Sequence, residues 1–177
     1  MAKALLLEIG CEELPAGFIT PALRQLESLA RESLGASRIR FDSIAAMGTP
    51  RRLALTAAGL ADRQDAETRE LTGPAVRVAF DADGNPTNAA RGFAKSAGLA
   101  VETLERITTP KGEYLLARVH DAGKPTGEVL PGLLGQWITG ITFPKTMHWN
   151  ESGRFARPVR WLAALWGLSL VWLSPSP

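Results

Sequence analysis

The sequence has little of the chemistry on which most metal and nucleotide sites depend. Its 177 residues include one cysteine, Cys11, and two histidines, His120 and His148. A single cysteine excludes an internal disulfide and a cysteine-based zinc cluster, and neither histidine has the spacing to a second ligand that a metal site needs. Phosphate loops of the G-x-x-x-x-G-K-[ST] or G-x-G-x-x-G type are absent. Nothing in the residue order supports a Ser-His-Asp triad.

Long hydrophobic runs are also missing. The longest candidate, residues 161–173, is interrupted by Gly167 and Ser169 and is too short to span a bilayer. The apolar start of the chain is interrupted by Glu8 and is too short for the core of a signal peptide. We therefore expect no membrane partner and a cytoplasmic location, which a single cysteine also fits.

What is present is enough apolar side chain for folding. The hydrophobic fraction is 45% and the net charge is +2, so the chain is expected to form one packed core, or one domain and part of a second. Strand and helix patterns alternate irregularly, which predicts an α+β fold with mixed or antiparallel sheets packed with several helices. Strands are predicted over residues 4–10, 41–47, 52–58 and 113–120, and from Lys145 onward.

Helices and breaks follow from local signals. Helices are predicted from a Thr20-Pro21 start to Gly35, from a Thr87 cap to Gly98, over residues 101–106, and over residues 126–140. Gly73-Pro74 predicts a break between elements, and residues 81–86 predict a turn. Four large apolar side chains near the end are expected in the core: Trp161, Leu162, Leu165 and Trp166.

Two charged clusters could carry chemistry. Glu8, Glu12 and Glu13 lie where a strand gives way to a helix, so they could bind a metal or act as an acid–base pair. Alternatively, Glu12 and Glu13 interact favourably with the positive end of the following helix. Arg51 and Arg52 lie in a turn between strands, where guanidinium groups suit phosphate or carboxylate; the alternative is an exposed turn with an arginine paired to a nearby carboxylate.

The segment from Lys145 to Arg160 is the most suggestive of nucleic-acid binding. Residues 141–177 carry four Lys/Arg and one Glu, a local charge of +3, whereas residues 1–35 carry three Lys/Arg and five Glu, a local charge of −2. Cations interleaved with Trp149, Phe155 and Trp161 suit RNA phosphates and bases. The alternative is a strand pair with tryptophans in the core and arginines around it. If the chain binds RNA, the expected contacts are Arg51, Arg52, Lys145, Arg154 and Arg157.

Six strings in one order resemble the β subunit of bacterial glycyl-tRNA synthetase. They are EIGCEELP (8–15), TPRRLA (49–54), an interrupted series over 73–94, KGEYL (111–115), FPKTMHW (143–149) and FARPV (155–159). The resemblance covers residues 4 to about 167; Cys11 and His148 depart from the family's usual residues, and residues 169–177 do not resemble it. We therefore expect an N-terminal α+β domain over residues 1–167 of a longer subunit, and an atypical tail over 168–177.

The resemblance implies a class II synthetase of two α and two β subunits that joins glycine to its tRNA with ATP and magnesium. In that family the α subunit carries the catalytic domain, and this sequence likewise lacks a G-x-G-x-x-R string. The fragment alone is therefore expected to be inactive, with no catalytic residue, metal or cofactor of its own. Its implied partners are the α subunit, the remainder of β and tRNA(Gly). The resemblance therefore implies a noncatalytic tRNA-binding and assembly part of the enzyme. The implied fold is similar to the editing-type domain of the phenylalanyl-tRNA synthetase β subunit. A hydrolytic editing domain and a pure scaffold for the α/β assembly are the alternatives.

Overall fold

The computed structural model describes residues 2–81, 83–110, 112–150 and 153–171. The chain divides into two compact units: unit 1 combines the chain up to Asp65 with the chain from Lys124, and unit 2 is Ala66–Gly123. In chain order the elements are β1 (Lys3–Cys11), α1 (Ala16–Ala36), β2 (Ser43–Thr49), β3 (Arg52–Leu60), β4 (Glu67–Ala75), α2 (Val76–Ala79), α3 (Asn88–Ala97), β5 (Glu105–Thr109), β6 (Gly112–Asp121), α4 (Thr126–Gly140), β7 (Met147–Asn150), β8 (Gly153–Phe155), β9 (Val159–Trp166) and β10 (Ser169–Leu170).

These elements confirm the predicted α+β class. The sheets are antiparallel throughout the described residues. The division into two units was not foreseen from the sequence, and a boundary at residue 167 stays a prediction, as does the likeness to an editing-type domain. Of the expected tail, residues 172–177 lie outside the described part. No helix in the described ranges has both the length and the apolar character of a membrane span.

Unit 1 is a five-stranded sheet in the order β10-β9-β1-β3-β2, with α1 and α4 on one face. Alternation along β1 sets the two faces: Leu5, Leu7 and Ile9 are buried in the core with the helices, whereas Leu6 and Glu8 point to the opposite side. No helix of the described part of unit 1 covers that opposite side, which we call the open face.

The first helix starts earlier than its sequence signals predict. Thr20-Pro21 was expected to open α1, but the helix begins at Ala16, after an N-cap at Pro15, and Pro21 lies inside it. Phe18 and Ile19, which precede the proline, pack against the core. Their burial extends the apolar face and offsets the single helical hydrogen bond that Pro21 cannot donate.

Unit 2 is a three-stranded sheet in the order β4-β6-β5, packed with α2 and α3 around Ala79, Ala90 and Leu115. Gly73-Pro74 was expected to break the chain but lies inside β4, where the pairing register with β6 shifts instead. Such a bulge accommodates a proline without ending the strand.

Two smaller predictions in unit 2 need correction. The helix expected over residues 101–106 is only a 3₁₀ turn at Val101–Thr103, after which β5 begins. Thr87 is the N-cap of α3, but its hydroxyl donates to the carbonyl of Val78 at 2.8 Å and makes no capping bond. The turn at residues 81–86 is confirmed by amides of that loop bonded to the Asp81 carboxylate.

The tryptophan-rich segment forms β9, which confirms the strand, but the prediction that its large side chains are core is wrong. Trp161 is 43% exposed, and Leu162 and Leu165 are also exposed; only Ala164 is fully buried, while Trp166 is half-buried against the core. The physical reason is position in the sheet. The outer neighbour of β9 is the two-residue strand β10, which pairs only with Leu165 and Trp166 and leaves Leu162 at the edge of the sheet. Trp161 and Leu165 lie on the open face, which no helix of the described part of unit 1 covers.

Candidate RNA-binding site

One end of the unit 1 sheet gathers charged residues from three distant parts of the sequence. Gly10, near the end of β1, pairs with Arg52 of β3 on one side and with Trp161 of β9 on the other. The sequence left open whether Arg51 and Arg52 lie near the basic C-terminal segment. Strand pairing brings them there, and we call Arg51, Arg52, Arg157 and Arg160 the arginine rim.

Each rim arginine contacts an oxygen of Glu8, Glu12 or Glu13. The contacts are Arg51 Nη2 to Glu13 Oε2 (3.6 Å), Arg52 Nε to Glu8 Oε1 (3.4 Å), Arg160 Nη1 to Glu12 Oε1 (3.6 Å), and Arg157 Nε donating to the Glu13 backbone carbonyl (3.2 Å). All are longer than the roughly 2.7–2.9 Å of a strong charge-assisted hydrogen bond. The exposed-turn alternative, in which an arginine of the turn pairs with a nearby carboxylate, therefore describes the observed geometry.

These contacts show where the three glutamates lie in the structure. Each carboxylate faces a guanidinium group, and no group of three or more His, Cys, Asp or Glu side chains within the described ranges is arranged to hold a metal ion. Glu12 and Glu13 also lie outside α1, whose first turn has no acidic residue. In this structure the three carboxylates pair with arginines, and their role as an acid–base pair stays a prediction.

The exposure of Trp161 is the feature of this site that the sequence did not predict. The indole Nε1 of this residue donates to Glu8 Oε1 at 2.7 Å, and its ring lies over Gly10. Together with Cys11 and the charged residues it lines a cleft of about 470 Å³; the full lining is Cys11, Glu12, Glu13, Arg51, Arg160 and Trp161. A glycine inside a strand is a signal of close approach by another group, and Gly10 was that signal here.

Cys11 lies buried beside the cleft. It is a free cysteine with 2% exposure. Burial raises the pKa of its thiol, which disfavours the thiolate that a nucleophile or metal ligand requires.

The other predicted RNA contacts lie on a different element. Lys145 lies just before β7 and Arg154 lies in β8, so both are at the β7–β8 hairpin or directly before it, and both are exposed. Of the sequence-predicted set, the structure thus brings together Arg51, Arg52 and Arg157 and adds Arg160. Glu151 and the side chains of His148 and Trp149 lie outside the described part of the chain.

Comparison with known proteins agrees with the resemblance carried by the six strings and extends it to residue 175, so the expectation that the chain departs from the family from residue 169 onward is wrong for residues 169–175. A family model described as glycyl-tRNA synthetase beta subunit matches residues 5–175. The glycine–tRNA ligase beta subunit of Geobacter sp. (strain M21) is 50% identical over 167 residues, which is 93% of this chain and 24% of that protein. Those of Myxococcus xanthus and Moorella thermoacetica are 46% and 45% identical, over 94% and 97% of this chain and 24% and 25% of theirs. The chain thus spans about a quarter of the length of these curated relatives, and it belongs to the glycyl-tRNA synthetase beta subunit family.

Proposed function

We propose that this chain is a tRNA-binding and assembly part of a cytoplasmic glycine–tRNA ligase. In this proposal the ATP- and magnesium-dependent attachment of glycine takes place on the α subunit, and the chain holds no cofactor of its own. Its partners are the α subunit, the remainder of β and tRNA(Gly). The observation that carries the proposal is the arginine rim, where four guanidinium groups from β3, β9 and the adjoining turns meet at one exposed end of a sheet.

The ion pairs of the arginine rim are weak enough for a phosphate to replace the glutamate in each pair. The side chains of Arg51 and Arg160 are 74% and 63% exposed, and exposed ion pairs contribute only about 0–1 kcal/mol. A phosphate oxygen can therefore replace a glutamate at little cost. Each phosphate contact also releases condensed counterions from the RNA, which adds a salt-dependent gain that an internal carboxylate does not provide.

The test is a titration of the chain with tRNA(Gly) at several salt concentrations. Replacing Arg51 and Arg160 together with Ala should weaken binding and reduce the slope of log K against log salt by about two units, if each arginine neutralises one phosphate. The matched control replaces Arg24 and Arg31, two exposed arginines of α1. Because α1 covers the opposite face of the sheet, the control should remove the same charge and leave the slope unchanged.

The hairpin arginine predicted from sequence is tested in the same way. An Arg154→Ala/Arg157→Ala variant should also flatten the salt slope by up to about two units. If both double variants bind as the unaltered chain does, with circular dichroism unchanged, the arginines are structural and the scaffold alternative is favoured.

Two activity measurements separate the proposal from catalytic alternatives. The purified chain without α should form no glycyl-tRNA from glycine, ATP and tRNA, and measurable product would contradict the proposal. The chain should also leave mischarged tRNA intact. Deacylation that is lost in a Glu12→Ala variant would instead support an editing domain.

A further inference from the structure

We infer that Trp161 is a stacking platform for an unpaired RNA base, whose neighbouring phosphates bind to the arginine rim. This inference rests on the proposed tRNA binding and specifies which form of RNA the site takes: a single-stranded one. The sequence argued against RNA contact here because Trp161 was expected in the core. The structure removes that objection.

The indole ring lies flat on the sheet. A Cβ atom built on Gly10 would lie 2.0, 2.1 and 2.3 Å from three atoms of the Trp161 ring system. Nearly equal distances to three ring atoms mean that the ring presents its face, and not its edge, to the glycine. With one face against Gly10, the opposite face is directed away from the sheet and accounts for the 43% exposure of the residue.

The ring is also held in that orientation before any ligand binds. Its Nε1–H donates to Glu8 Oε1 at 2.7 Å, and Glu8 in turn contacts Arg52 Nε at 3.4 Å. The Arg52 guanidinium carbon lies over the ring at 5.9 Å from its centroid, near the outer limit of a cation–π contact, and Trp161 is still 43% exposed. A ring fixed by neighbours loses little conformational entropy when a base stacks on it.

The surroundings of the ring suit a nucleotide. The adjoining cleft of about 470 Å³ is within the size range of small-molecule sites, and Arg51 and Arg160 line it beside the indole. Four rim arginines outnumber three glutamates, so the local charge attracts an anion. A base inside a duplex has both faces stacked already, whereas an unpaired base can place one face on an aromatic ring.

The same open face favours a different occupant farther along the sheet. Leu6, Leu165 and Leu170 form an aliphatic row, and Leu165 lies four residues from Trp161, about 13 Å along β9. Such a row suits protein more than RNA. The charged surroundings are confined to the Trp161 end, which is why we assign that end to RNA.

The test uses the whole 177-residue chain and a short single-stranded RNA containing 2-aminopurine, whose fluorescence is quenched by stacking. The same strand annealed to its complement is the duplex probe. The variants are Trp161→Leu, Trp161→Phe and Gly10→Ala, the last of which keeps the tryptophan but displaces its ring. Leu165→Ala is the matched control, since it removes an apolar side chain from the same strand and face.

We expect the unaltered chain to bind the single strand more tightly than the duplex and to quench its fluorescence. Trp161→Leu should weaken single-strand binding by about 5- to 150-fold, the measured range for one stacked base, and should abolish quenching while leaving the salt slope unchanged. Gly10→Ala should act in the same direction, Trp161→Phe should lie between, and Leu165→Ala should have no effect.

Three results would overturn the inference. Unchanged affinity and quenching in Trp161→Leu and Gly10→Ala, with the slope still reduced in Arg51→Ala/Arg160→Ala, would leave tRNA binding in place and remove stacking. If Trp161→Leu weakens association with the α subunit and leaves RNA binding unchanged, the open face at Trp161 binds a protein partner instead of RNA. If the unaltered chain binds neither probe nor tRNA, the proposed function itself fails and the inference fails with it.

Discussion

The contact between α1 and α4 depends on one buried hydrogen bond, and its removal gives a prediction that can be worked out in detail. Trp137 of α4 is fully buried, and its Nε1–H donates to Ser33 Oγ of α1 at 2.6 Å. The Ser33 hydroxyl in turn donates to the carbonyl of Leu29 at 2.6 Å. Ser33→Ala therefore leaves a buried indole N–H without its acceptor, which should lower the free energy of unfolding by about 1–3 kcal/mol.

The partner substitution shows whether the cost comes from that bond. In a Trp137→Phe chain no indole donor remains, so adding Ser33→Ala removes only a hydroxyl bonded within its own helix. Alanine also has the higher helix propensity. The second substitution should then be nearly neutral, and the double-mutant cycle should give a coupling energy of about 1–3 kcal/mol, within the usual range for contacting residues.

The sequence supplies a convenient probe for this measurement. All five tryptophans lie in the part of the chain from Lys124 onward, which belongs to unit 1. Urea unfolding followed by tryptophan fluorescence therefore reports on unit 1 alone, and the midpoint should fall while the m-value stays constant. Equal costs of Ser33→Ala in both backgrounds would refute the reasoning, because the bond to Trp137 would then contribute nothing.

Two further predictions concern unit 2. Gly73→Ala places a Cβ 2.5 Å from the Phe93 ring and should destabilise unit 2 by about 1–3 kcal/mol. The Cβ of Gly92→Ala in α3 meets nothing within 4 Å, so this substitution should stabilise unit 2 by about 0.5–1 kcal/mol. Amide hydrogen exchange within unit 2 should therefore change in opposite directions in the two variants, and equal effects would contradict the packing of Phe93 on Gly73. Hydrogen bonds from Asn85, of which the one from its backbone N–H is the largest cause, lower the pKa of the Asp81 carboxyl. The ionised Asp81 carboxylate therefore stabilises the fold fully above the pKa of the unfolded chain, near 4. This stabilisation is lost as pH falls through the lower pKa of the folded state. Asp81→Asn should remove this pH dependence of exchange in the turn, and an unchanged acid profile would show that Asp81 is not its source.

Local signals in the sequence were sufficient for most of the elements. β1 is a short, mostly apolar run, and α3 stops at Gly98, whose φ of 67° is the left-handed conformation that glycine adopts easily. The hairpin turn at residues 48–51 and the helix over residues 126–140 also follow from nearby residues. In each case the deciding interactions are within a few positions along the chain, so the sequence determines them by itself.

The elements that were predicted wrongly depend on partners distant in the sequence. Gly73-Pro74 remains within a strand because β6 continues to pair on both sides of the bulge. α1 extends past Pro21 because Phe18 and Ile19 reach the core. A turn or helix signal states a local preference, and burial against another element can exceed it.

The geometry of the candidate site also depends on residues that are distant in the sequence. The sequence supplied the arginines and glutamates, and the strings within which they occur identified the family. Only the sheet placed Gly10 between Arg52 and Trp161, residues that are more than one hundred positions apart from each other. Only the tertiary structure determined that the helices cover one face of that sheet, so a tryptophan that looks like core from its composition lies exposed on the other. Hydrophobicity indicates which side chains gain from burial, but the packing of whole elements determines which of them are buried.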